Sequence, residues 1–187
     1  ENLKKDIASN KIVEVLTGSA EKETGIHRLL KTIRHDCPAH EKTIERNGLK
    51  IKKDTACLQV FKTNFIPHRG KQSIVRVWSG ELQEGITLKD NIRLQNLFSL
   101  KGKDLVKNSK AKAGDVIGLS RIESISTGDL ISDETKEINK DNDIPISPQP
   151  IYSKAISTTR REDDVKLSES LKEIIETDSS YLIERNT

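Results

Sequence analysis

The residues that could do chemistry in this 187-residue chain fall into four groups. Gly18-Ser19-Ala20 follows an apolar run and precedes a helical pattern. In open α/β sheets ligands bind at the carboxyl ends of strands. A small-residue turn there lets backbone N–H groups approach a base or a phosphate. Taken alone, Gly-Ser-Ala is also a common loop. His35, Cys37 and His40 stand close in sequence, but a structural zinc site closes with four ligands. No fourth is evident and Pro38 intervenes, so this reads as a helix end with a buried thiol and no metal. Glu162, Asp163 and Asp164 could pass for an acid–base set, yet they stand where a helix begins. The orphan N–H groups and the dipole at that end favour anions, which makes capping the simpler role. Lys62, His68, Arg69, Lys71 and Arg76 could meet RNA phosphates, or form a solvated charged face of the kind common on protein surfaces. No acid partner can be assigned to His27 or His68, so neither is a base candidate.

No phosphate-cradling GxxxxGK followed by Ser or Thr is present, nor GxGxxG, HExxH, GxSxG or CxxC. Catalysis within this chain is therefore not expected. Composition narrows the class further. Charged residues make up 33% with a net charge of only +3, which is not the profile of a DNA coat. Hydrophobic residues are 33% and aromatics 3%, so any core is thin and built on Ile, Leu and Val. Two cysteines cannot make a disulfide scaffold and fit a reducing, cytoplasmic setting. No run is long enough to span a bilayer. Methionine is absent and the chain begins and stops in mid-phrase, which reads as a piece of a larger protein.

Three kinds of element must position these residues. Residues 1–10 read as the end of a helix, residues 11–17 (KIVEVLT) as a buried strand, and Ile26, Leu29, Leu30 and Ile33 as the apolar stripe of a helix stopped by Pro38. Residues 38–54 are a polar connection. From 55 to 135 six short apolar stretches recur at 56–63, 73–79, 86–88, 91–100, 115–122 and 129–132. Strands at that spacing indicate an antiparallel barrel or sandwich. Residues 80–85 read as a glycine-bracketed turn, and Trp78 as a plug at one end of the barrel. Arg76, between Val75 and Val77, should face outward if they are core. Residues 133–150 hold three of the five prolines and read as an extended linker. Residues 151–157, 162–177 and 180–185 read as strand, helix and strand, half of a split βαβ domain. A half domain leaves an edge and an apolar face uncovered, so this piece should be mobile or packed on a neighbour or on the barrel.

The order of these pieces resembles one family. Val15-Leu16-Thr17-Gly18-Ser19-Ala20 with Thr24-Gly25-Ile26-His27-Arg28-Leu29-Leu30 is similar to the last strand and helix of a translational GTPase domain. Phe61-Lys62, Gly70 through Gly80 (GKQSIVRVWSG), Leu82 and Gly85 resemble the second domain of elongation factor G, as do Ala113-Gly114-Asp115-Val116-Ile117 and Thr127-Gly128-Asp129. Pro150-Ile151-Tyr152, Asp163 through Leu167 and Glu176-Thr177-Asp178 are similar to the opening of that family's third domain. The wording around Gly-Ser-Ala-Glu and Arg-Val-Trp-Ser-Gly looks closest to the divergent second copies that some bacteria carry.

The resemblance implies a mainly β chain. It would comprise the C-terminal end of a GTPase domain (1–40), a linker (41–54), the domain II β-barrel (55–135), a second linker (136–149) and the first half of a ferredoxin-like domain III (150–187). It implies a parent that hydrolyses GTP with Mg2+ on the ribosome, in the cytoplasm, without membrane or DNA partners. The barrel would dock on small-subunit rRNA during translocation or a related step. Ser19 and Ala20 would touch the guanine base in that parent, and Arg69, Lys71 and Arg76 are the rRNA-contact candidates. GTP and Mg2+ would belong to the parent and no cofactor to this piece. A ribosome-protection or release-factor GTPase, or a barrel that binds RNA or protein with no GTPase attached, are the alternatives. Gly70, Arg76, Gly80, Gly85, Gly114, Asp115 and Gly128 match family positions whose roles look geometric.

Overall fold

The computed structural model describes residues 2–46, 51, 55–66, 68–88, 91–102, 104–133 and 148–184. The chain forms two compact units, Glu1–Ile51 and Lys52–Thr187.

In the first unit, helix α1 spans Asn2–Ala8, α2 Ile26–His35 and α3 His40–Arg46. Helix α3 stands in the stretch expected to be a polar connection. The strand expected at 11–17 does not form, because these residues have no ladder partner among the described residues. Val13 and Val15 are left 82% and 84% exposed. An apolar run becomes a strand only when a neighbour takes up its N–H and C=O groups. Glu14 behaves differently from the apolar residues around it. Its Oε1 accepts from the Arg28 guanidinium at 3.0 Å and the Thr32 hydroxyl at 3.3 Å, tying this segment to α2. The other carboxylate oxygen is buried without a hydrogen-bond partner among the described residues.

The second unit is antiparallel throughout. Its strands are β1 (Cys57–Ile66), β2 (Gly70–Ser79), β3 (Glu81–Gln83), β4 (Thr87–Leu88), β5 (Ile92–Arg93), β6 (Leu97–Lys101), β7 (Asp104–Asn108), β8 (Lys110–Lys112), β9 (Val116–Ser120) and β10 (Leu130–Ser132). A six-stranded sheet runs β10-β1-β2-β9-β6-β7, with β3 pairing β8 and β4 pairing β5. One aliphatic cluster draws Leu58, Val75, Leu82, Leu88, Ile92, Leu97, Ala111, Ile117 and Ile131 from nine of these strands, so the three ladders wrap a single core. No aromatic residue belongs to that cluster, as the composition implies.

Three expectations change here. The 80–85 stretch is not simply a turn, since it contains β3, whose Leu82 is fully buried. Residues 91–100 break into β5 and β6, and β7 and β8 add strands in the lysine-rich stretch that follows. Trp78 is buried, at 8% exposed, but lies outside the aliphatic cluster. The alternation of β2 sends Val75 and Val77 inward and Trp78 to the opposite face with Arg76. There the indole Nε1 donates to Gln59 Oε1 at 3.1 Å.

The two Gly-Asp motifs have one job. In Lys112–Asp115 and in Ser126–Asp129 the aspartate Oδ2 accepts the N–H three residues back, at 2.9 and 2.8 Å. The glycines take left-handed φ values of 94° and 99°. Gly114 N–H then donates to Val77 O at 2.9 Å while Val77 N–H donates to Asp115 O at 3.0 Å. Gly128 and Asp129 repeat this on Val60, at 2.7 and 2.9 Å. Each motif is thus a side-chain-closed turn clipped to a core strand, β2 in one case and β1 in the other.

Helix α4 (Asp164–Thr177) follows a single 3-10 turn at Arg161–Asp163. The strands expected on either side do not form: residues 151–157 are exposed and unpaired, and so are most of 180–184 among the described residues. Residue 185 lies outside the described residues, as does most of the expected linker, 134–147. Of the outcomes expected for this segment, packing on the barrel is the one observed, with α4 lying against β1.

Candidate functional site

The Gly-Ser-Ala loop is closed by a local clamp. Ser19 N–H donates to Thr24 O and Thr24 N–H to Ser19 O, both at 3.0 Å. Ser19 Oγ accepts from Lys22 N–H at 3.3 Å. The clamp works because two glycines meet: a Cβ on Gly18 would lie 2.7 Å from Thr24 O, and one on Gly25, at φ +81°, 2.6 Å from Thr17 O. Gly25 also serves as the N-cap of α2. The loop therefore presents a fixed backbone in which the Ser19 amide is committed internally. The Ala20 N–H takes no backbone partner among the described residues.

His35, Cys37 and His40 do not assemble. Among the described residues no group of three His, Cys, Asp or Glu side chains could hold a metal ion. Cys37 is exposed, contrary to the buried thiol expected; the buried cysteine is Cys57, on β1. The acidic triplet is spread around the start of α4. Asp163 accepts from Lys166 at 3.3 Å and Asp164 from the Thr158 hydroxyl. Asp163 occupies the N-cap position without a side-chain capping bond, so the stabilisation is electrostatic rather than a capping hydrogen bond.

The basic set divides. A bulge in β1 between Val60 and Lys62 turns both Phe61 and Lys62 outward and returns Thr63 to the interior. His68 and Arg69 sit exposed in the tight turn between β1 and β2, His68 at φ 66°. Arg76 lies on the outer face as expected, its guanidinium 5.6 Å from the Trp78 ring centroid. Lys71 departs from its expected role. Its position on β2 is an inward one, and the residue is 2% exposed. Its Nζ donates to Glu123 O at 3.1 Å and lies 2.6 Å from Glu176 Oε2 on α4. Composition and alternation put a lysine at an inward position without revealing the carboxylate that would meet it, because Glu176 lies far along the chain.

Among the described residues no helix is long and apolar enough to cross a membrane.

Comparison with known proteins accounts for this arrangement. Residues 55–134, the whole barrel, match the family Elongation factor G domain 2. The chain is 32% identical over its full length to "Elongation factor G-like protein" of Synechocystis, covering 27% of that protein. It is 28% identical to "Elongation factor G 2" of Syntrophomonas wolfei, over 96% of the chain and 28% of that protein. A crystal structure from Thermus thermophilus matches with a TM-score of 0.73 and 29% identity, over 90% of this chain and 25% of that one. The chain thus spans about a quarter of the length of the curated relatives it matches. The barrel with its paired Gly-Asp turns, matched along its whole length, establishes that the chain belongs to the elongation factor G family.

Proposed function

We propose that the chain is the non-catalytic middle portion of a translational GTPase of the elongation factor G type. Its divisions would be the end of the GTPase domain (1–40), a linker (41–54), the docking barrel (55–135), a second linker (136–149) and the start of domain III (150–187). The observation that carries this reading is the match of residues 55–134 to domain 2 of that family.

In the intact protein GTP with Mg2+ would supply the hydrolysis that drives the factor through its cycle on the ribosome, in the cytoplasm. This chain's share of that nucleotide would be one edge of the guanine. With Ser19 N–H held by Thr24, the exposed Ala20 amide is the donor left to meet a base acceptor. Ser19 holds the loop in shape. Without a phosphate loop the chain should neither bind GTP tightly nor hydrolyse it.

The barrel would dock on small-subunit rRNA. Arg69 at the β1–β2 turn and Arg76 on the outer face are the residues assigned to phosphate contact. Lys71 is withdrawn from that set by its burial. The test is co-sedimentation of the 187-residue chain with small ribosomal subunits across a salt series. Binding should weaken linearly in log salt, and Arg69→Ala and Arg76→Ala should each lower the slope by about one. Absence of binding at low salt, or binding indifferent to salt, would overturn the docking assignment.

A further inference from the structure

Lys71 is a barrel residue that the core does not use and the proposed RNA face cannot reach. Its side chain is 1% exposed and its Nζ lies 2.6 Å from Glu176 Oε2, an oxygen that is itself buried and takes no aligned hydrogen bond among the described residues, so the contact is an ion pair. Around this pair the seam between α4 and the barrel is poorly filled. No residue of α4 is buried, and Ile174 and Ile175 are 43% and 36% exposed. An open groove of about 340 Å³, lined by Asn64 and Phe65 of β1 and by Ile174, Thr177, Asp178 and Tyr181, runs along the same seam. Apolar packing of α4 is partial, with Leu167 and Leu171 half-buried, and the buried Lys71 ammonium is paired across the same seam with Glu176. A weaker tie lies nearby. Hydrogen bonds from Ser180 and the charge of Lys62 both favour the ionised form of Asp178, at the end of the helix.

We propose that Lys71–Glu176 is a charge clasp that sets whether α4 is docked, so that 148–184 separates from the barrel as a unit when the pair opens. The two states are chemically balanced. With α4 docked, the ammonium holds the carboxylate and the Glu123 carbonyl. With α4 away, water reaches Nζ in place of the carboxylate and the carbonyl bond is kept. Glu176 meanwhile returns to the solvent that already reaches part of its side chain, which is 38% exposed. Removing Glu176 while the helix stays docked leaves the Lys71 ammonium buried and uncompensated, and that drives the seam open. The barrel core is untouched, because its aliphatic cluster includes no residue of α4.

Hydrogen exchange on the full chain, read by mass spectrometry, tests the clasp. Glu176→Gln and Glu176→Lys keep good helix formers on α4. Both should speed exchange across 164–177 by about tenfold or more, Lys more than Gln, while peptides from β1, β2 and β9 stay protected. Lys71→Met should loosen the same peptides from the barrel side, and Glu169→Gln, on an exposed position of the helix, should not. Unchanged exchange of α4 in both Glu176 variants would overturn the clasp. So would equal loss of protection in α4 and the barrel strands, since the pair would then be part of one cooperative unit.

Discussion

Leu82, on the three-residue strand β3, is fully buried, whereas Val165, on the fourteen-residue helix α4, is 67% exposed. The same contrast holds between β9, whose Ile117 and Leu119 are 1% exposed, and α2, whose Leu29, Leu30 and Ile33 are 43–56% exposed. Helices α2 and α4 are amphipathic by pattern and bury no residue. The barrel strands are short and individually weak, yet every wall of their core lies within residues 56–131. What decides burial is whether the opposing surface is at hand, and periodicity alone does not report that.

The largest test of this contrast is truncation of equivalent aliphatics on the two sides. Leu82→Ala and Leu97→Ala should each cost about 2–5 kcal/mol, because both are completely enclosed and leave a cavity. Val165→Ala should cost below about 1 kcal/mol, since the side chain is largely solvated already at 67% exposed. Urea unfolding followed by the single tryptophan, Trp78 on the barrel, reads both. Equal losses would mean that α4 shares the barrel's core.

Legibility in the sequence followed the same division. The positions of β1, β2, β9 and β10 and the stripes of α2 and α4 were readable because they rest on local alternation or helical period. Strands β3 and β8 were not, because Glu81–Gln83 and Lys110–Lys112 are polar segments made into strands by pairing with each other across the fold, and β7 was not, because Asp104–Asn108 is a polar segment made into a strand by pairing with β6. The segments at 11–17 and 151–157 show the reverse: good strand chemistry, with no ladder partner among the described residues. At the candidate sites, the outward direction of Arg76 followed from alternation. The inward position of Lys71 follows from the same alternation once β2 is seen to begin at Gly70, but its partners Glu123 and Glu176 do not, because only tertiary structure brings them to it.

A smaller effect separates the glycines of the barrel's turns. Gly80 sits at φ +71°, and a Cβ there would lie 2.7–2.8 Å from backbone atoms of Thr55 and Ala56. Gly85 sits at φ +91° with nothing within 4 Å. Gly85→Ala therefore carries conformational strain alone, about 1 kcal/mol, while Gly80→Ala adds a clash with immobile backbone, about 2–3 kcal/mol in all. Thermal unfolding of the two variants should differ in that order. A Gly80→Ala variant no worse than Gly85→Ala would show that the entry to β1 yields.

The smallest effect lies at the end of α4, outside the core altogether. Asp178 is exposed, and its carboxyl is held below its ordinary value of 3.8 by the Ser180 hydroxyl and amide, with a lesser pull from Lys62. A carboxylate with a depressed folded-state pKa contributes stability above its unfolded value and loses it as pH falls through the folded one. The helix end should therefore hold its full contribution from neutral pH down to about 3.8 and give it up below that. The Ser180 amide, which donates to Asp178 Oδ1 at 2.9 Å, is the reporter. Its NMR shift should titrate with a midpoint under 3.8. Ser180→Ala should bring the midpoint up toward that value more than Lys62→Met does, because the hydrogen bond outweighs the distant charge. If Lys62→Met moved it further, the seam between α4 and β1 would owe more to long-range attraction, and the contrast between a packed barrel and a charge-held helix would sharpen.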